Sequence, residues 1–207
     1  MLNLVDNTSC LPYLNTIEVS EKTPIGPFCR DGGSGTTYDV VGNMTTKLSA
    51  DDFTEVQILF KKFENFSDKE QSRFSIIINR IRQAKRRNSI EDKILDLVIA
   101  LEMMLLEDND KSQLKLQFRL RGSLLISKTN KEKINHFTTL GKLYDYRSSV
   151  AHSGMLKNKD KKIIKEKFPE FCNLAEKVCK TLILQGSPKW DNLVLGIKNI
   201  KEDGVAS

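Results

Sequence analysis

The chain has 207 residues, 39% of them hydrophobic and 29% charged, with a formal net charge of +6. That size allows one domain with an arm, around a core that needs no disulfide or metal to hold it, and the positive balance leans towards an anionic partner. The four cysteines, Cys10, Cys29, Cys172 and Cys179, make no C-x-x-C pair, so an intracellular protein with free thiols is the simplest reading. The first twenty residues lack a basic segment followed by an apolar block, so no signal peptide is expected. The longest apolar run, Leu97 to Leu106, is short and contains Glu102, so it predicts no membrane span. A cytoplasmic protein without membrane contact is expected.

Residues 1–48 hold three of the five prolines, Pro12, Pro24 and Pro27, and a turn-rich stretch from Gly26 to Gly35. They read as an extended arm, with a short strand over Thr36 to Val41 and no helical period. The glycines are not followed by Gly-Lys-Ser/Thr, so the stretch is a loop and not a phosphate-binding P-loop.

From residue 49 the signals are helical. Ser49-x-x-Asp52, Ser67-x-x-Glu70, Ser89-x-x-Asp92 and Thr129-x-x-Glu132 each place a hydroxyl against free amide hydrogens and an acid at the positive helix end. Apolar stripes follow at helical spacing. One joins Phe74, Ile77, Ile78, Ile81 and Ala84, and another joins Ile90, Ile94, Leu97, Val98, Leu101 and Leu105. A third joins Ile164, Phe168, Phe171, Ala175, Val178 and Leu182, with Cys172 and Cys179 as core fillers one heptad apart. Further helices are expected over Ser112–Ser127 and from Lys131 towards His152. Pro169 predicts that the last long helix either begins after it or bends there. After Gln185-Gly186-Ser187-Pro188 comes a tail, residues 186–207, with a short helix from Trp190 to Ile200. The expected fold is an all-α bundle over 49–185.

Two histidines, His136 and His152, limit the chemistry. They exclude a three-histidine metal site, and no H-x-x-x-H seed or G-x-S-x-G elbow is present. No metal and no cofactor are expected. Within Leu143–Gly154, Arg147-Ser-Ser-Val-Ala-His152 sets an arginine four residues before a histidine. Around it stand Arg73-Phe74, the basic run Arg80–Arg87, Asp92 to Glu102, Arg119-x-Arg121, Tyr144-x-x-Arg147 and His152-x-Gly154. In order and spacing this set resembles the ApeA-like HEPN family over roughly residues 50–180. One position departs, because Ser148 follows the arginine where the family often has Asn, Asp or His.

The resemblance implies a HEPN-like helical bundle that dimerises to complete a metal-independent endoribonuclease site. Arg147 and His152 would be its catalytic pair, in a stress or defence effector with RNA as substrate and a possible regulatory protein partner. A guanidinium can clamp a phosphate and an imidazole can relay a proton near neutral pH, which suits scission by the RNA's own 2′-hydroxyl. A non-catalytic interaction module or RNA binder of the same fold stays open beside it. Five residues at about 100° each place Arg147 and His152 about 140° apart on a straight helix. They can meet only if the helix ends or distorts between them, or across a two-fold dimer.

Ser148 and Glu102 are expected to support the pair. On a helical wheel Glu102 falls between Val98 and Leu95, inside the apolar face, where a carboxylate is costly unless paired. Arg119, Arg121 and Arg147 are its candidate partners, either to fix helix register or to orient Arg147. Two basic clusters could contact phosphate. Arg86 and Arg87 belong to the first, with Arg80, Arg82 and Lys85. Lys157, Lys161 and Lys162 belong to the second, with Lys159, Lys165 and Lys167.

Overall fold

The computed structural model describes residues 15–16, 34–35, 50–106 and 113–197. The arm contributes a two-residue antiparallel pair, β1 (Asn15–Thr16) with β2 (Ser34–Gly35), in which Asn15 faces Gly35. The expected strand over 36–41 and the Ser49 cap lie outside the described residues. The other elements among the described residues are helices: α1 (Ala50–Glu64), α2 (Asp68–Arg86), α3 (Ile90–Leu105), α4 (Leu114–Ile126), α5 (Asn130–Ser153), α6 (Asn158–Gln185) and α7 (Trp190–Leu195). The fold is all-α, as the capping signals and apolar periods require.

Three expected caps are made by their hydroxyls. Ser67 and Thr129 form reciprocal capping boxes with Glu70 and Glu132 at the starts of α2 and α5. Ser89 accepts from the Asp92 amide at the start of α3, but its own hydroxyl turns to Glu91 at 3.2 Å, so the box is half closed. Helix α6 starts at Asn158 and carries Pro169 inside it, which corrects the expected start after the proline. Pro169 is exposed, so the carbonyl it leaves unbonded can face water. Buried Ile164 and Phe171 hold the helix to the core on both sides of it. The tail helix is shorter than expected, because Gly196 adopts φ 69° and turns the chain after Leu195.

Helix α3 is central and packs against α2, α4, α5 and α6, while α1 covers α6 and α7 covers α4. The first two apolar stripes are buried throughout; in the third only Phe168 is half-buried. Cys172 and Cys179 are free thiols in the core, and burial pushes both up to about 12, so they stay protonated. Arg121 closes one end of α3, donating from Nη1 to the Leu105 carbonyl at 3.0 Å beneath the Trp190 ring. Helices α4 and α5 approach closely at two glycines. A Cβ on Gly122 would lie 2.6 Å from Leu140 Cδ1, and one on Gly141 would lie 2.8 Å from Arg119 Nε. Leu140 is fully buried and has little room to retreat. Gly122→Val is therefore expected to cost about 1–3 kcal/mol in urea unfolding, the range for overpacked cores. An unchanged midpoint would show that the α4–α5 contact is loose.

Candidate functional site

The site is built on α5. Its capping box at Thr129 starts the helix, and Gly154, with φ 72°, ends it by donating its amide to the Val150 carbonyl at 2.8 Å. The helix therefore runs through both Arg147 and His152 without a break. The glycine stop comes after the histidine, too late to turn it towards the arginine. The helical period then sends the two side chains to different sides.

Arg147 faces α3, where its Nη2 lies 3.4 Å from Oε2 of Glu102. The two side chains are 35% and 19% exposed, so the pair sits at the edge of the core and within reach of solvent. Burial raises the Glu102 carboxyl above its usual range, and the Arg147 charge opposes that rise. Arg147 Nε is buried with no hydrogen-bond partner. Among the three candidate partners the structure selects Arg147. Arg121 caps α3, and Arg119 lies 3.9 Å from the centre of the Phe137 ring and donates from Nε to the Phe137 carbonyl. Ser148 is half-buried beside Arg147.

His152 is exposed, on an outer stripe of α5 that also carries Thr138, Lys142, Asp145 and Ser149. The other histidine is committed elsewhere. His136 Nδ1 lies 2.7 Å from the Ser127 hydroxyl, tying α5 to the end of α4, and burial lowers its pKa, with Lys177 adding to the effect. Among the described residues no three His, Cys, Asp or Glu side chains are grouped to hold a metal ion. No helix among them is long and apolar enough to cross a membrane.

The basic clusters are partly tied down. Arg87 Nε donates to Asp96 Oδ2 at 2.9 Å and Arg80 Nη1 to Asp96 Oδ1 at 2.5 Å, while Asp96 itself is buried. Arg86 is half-buried in the last turn of α2. Lys85 pairs with Glu176 inside the core at 2.5 Å. Lys161 pairs with Glu91 at 2.6 Å, which holds that carboxyl below its usual range. Lys157 and Lys162 are exposed. Sequence reasoning missed Asp96, Glu91 and Glu176 as anchors. Asp96 carried a readable signal, a carboxylate between Leu95 and Leu97 just downstream of an arginine-rich segment. For Glu176 and Glu91 the partner lies far along the chain, and nothing local marks it.

Compared with protein-family models, with curated proteins and with solved structures, the chain matches none.

The Glu102–Arg147 pair makes two measurable statements. A carboxyl held above its ordinary value binds its proton more tightly in the fold than in the unfolded chain. Its contribution to stability is complete below the unfolded value and is lost as pH climbs through the folded one. Glu102→Gln is thus expected to gain stability relative to wild type as pH rises from about 4 to 7, read from urea midpoints. The opposite trend would mean that the Arg147 charge outweighs burial. Arg147→Ala should cost about 1–2 kcal/mol, below the ~3–5 kcal/mol of a fully buried pair, because both side chains are partly exposed and solvent screens the pair. A loss as large as the buried-pair value would contradict the half-exposed geometry.

Proposed function

We propose that this chain is a HEPN-type, metal-independent endoribonuclease, acting in the cytoplasm as a stress or defence effector, with Arg147 and His152 as its catalytic pair. The observation that carries this reading is the state of Arg147. Its guanidinium is held against Glu102 at 3.4 Å while the side chain as a whole stays one-third exposed, so it is oriented and within reach of a phosphate.

Arg147 clamps the scissile phosphate and offsets the charge that builds on its oxygens. The RNA 2′-oxygen attacks phosphorus as its proton passes to a His152 imidazole. The bond from phosphorus to the 5′-oxygen breaks, and that oxygen takes a proton from an imidazolium. The products are a 2′,3′-cyclic phosphate and a 5′-hydroxyl, and atoms balance without a cofactor. Because the two side chains leave different sides of α5, the centre is completed by a second copy, whose His152 approaches the first copy's Arg147. The same divergence within one chain favours the second reading, a non-catalytic interaction or RNA-binding module of this fold, regulated by a protein partner.

Mixed RNA incubated with the protein in EDTA separates the two. Wild type is expected to cut RNA and leave DNA intact, since DNA lacks the attacking hydroxyl. His152→Ala should abolish cleavage while RNA binding persists. Arg147→Lys should lose most activity, because a point charge cannot reproduce a two-pronged clamp. RNA left intact by wild type, or cut equally well by His152→Ala, would replace the ribonuclease with the interaction module.

A further inference from the structure

Two basic segments far apart in sequence meet at one end of the bundle. The first closes α2 with Arg80, Arg86 and Arg87. The second opens α6, where residues 157–165 hold five lysines and one acid, Asp160. Helix α3 joins them. Glu91 in its first turn takes the Lys161 ammonium at 2.6 Å and lies 3.5 Å from the Leu156 amide, which docks the α5–α6 turn there. Lys93 reaches both sides, with Nζ 3.4 Å from the Lys85 carbonyl and 4.7 Å above the Phe168 ring of α6. His152 stands at the same end, in the last turn of α5.

The arginines are not loose surface charges. Asp96 is 3% exposed and receives Arg80 on one oxygen and Arg87 on the other. One buried carboxylate thus holds the guanidiniums of two arginines whose side chains are 42% and 47% exposed. The triad carries a net positive charge, and its geometry is set before any ligand arrives. Preorganised guanidiniums lose little freedom when they engage a phosphate, whereas free lysines must be ordered. Of the acids that meet these segments, Glu91, Asp96 and Glu176 are spent as anchors, on Lys161, on Arg80 and Arg87, and on Lys85.

We propose that Arg80 and Arg87, clamped by Asp96, form a phosphate-binding site for RNA, continued round the N-terminal end of α3 by Lys157 and Lys162 of α6. The choice of RNA rests on the ribonuclease reading, and the track would lead its backbone towards His152. Contacts are to phosphate, so binding is independent of sequence and depends steeply on salt.

The test is fluorescence anisotropy of a labelled single-stranded RNA of mixed sequence against the full chain, titrated at several salt concentrations. All proteins carry His152→Ala, so the probe stays whole. Arg80→Gln/Arg87→Gln should weaken binding roughly tenfold and flatten the salt slope by about one to two, since each lost contact removes about 0.7 on a single strand. Lys157→Gln/Lys162→Gln should flatten it by a similar amount, and its side chains are exposed, so folding is not at stake. Arg87→Lys keeps the charge against Asp96 and should weaken binding with the slope retained.

Lys128→Gln/Lys131→Gln, at the opposite end of α5, should change nothing. Binding by the arginine and lysine variants equal to this control overturns the track, and wild-type affinity in Arg87→Lys overturns the clamp. Displacement of the RNA by poly-glutamate at equal charge would assign the surface to an acidic protein instead. Binding that depends on these residues, with wild-type His152 protein leaving RNA intact in the EDTA assay, keeps the track and removes the ribonuclease. Cleavage by the wild-type His152 protein, with binding indifferent to these variants, does the reverse.

Discussion

Helix α3 is wrapped by α2, α4, α5 and α6, yet it carries Glu91, Asp96 and Glu102 along its length. A carboxylate taken out of water must find a cation or give up its charge. Each of the three meets that demand with a different neighbour: Glu91 with Lys161 of α6, Asp96 with Arg80 and Arg87 of α2, Glu102 with Arg147 of α5. The apolar stripes decide which face of each helix turns towards the core, and burial itself is non-directional, so it leaves small rotations about that face open. Charge pairs are not indifferent. Three carboxylates paired around one helix narrow those rotations, and so bear on which residues remain outside.

The consequence for chemistry is clearest on α5. That helix buries only Leu140, Gly141, Leu143 and Val150, which leaves one long stripe open. Pairing with Glu102 commits Arg147 to the α3 side and thereby sends His152 outwards, at the end of the stripe. A reaction that needs both groups has to gather side chains that leave α5 on different sides. A binding function needs no such gathering, and this is the physical root of the choice between an enzyme and an interaction module.

The charged end of the bundle follows from the same anchors. Lysines and arginines that appear in sequence as two solvated runs are brought to the turns flanking α3, and the strongest pairs there are made to buried or half-buried carboxylates. A basic side chain used in this way serves the fold and still projects part of its charge. At the other end, Arg121 and Arg119 are spent on the Leu105 and Phe137 carbonyls and on aromatic rings, and act as packing elements.

Much of the fold was legible locally. Helix starts at Ser67, Ser89 and Thr129 and the stripe from Phe74 to Ala84 depend on hydrogen bonds and periods that close within a few residues, so the chain alone determined them. The partial burial of Glu102 followed from its neighbours on one helix, although its partner did not. What only the tertiary structure decided has the opposite character. The continuity of α6 through Pro169 depends on core contacts on both sides of the proline. The selection of Arg147 over Arg119 and Arg121 depends on how α4 and α5 cross α3. The use of Asp96, Glu91 and Glu176 as anchors depends on cations brought in by other helices. Local sequence sets which residues must be satisfied; helix packing sets by whom, because the energy of a charge pair falls away over a few ångströms and no local pattern measures that distance.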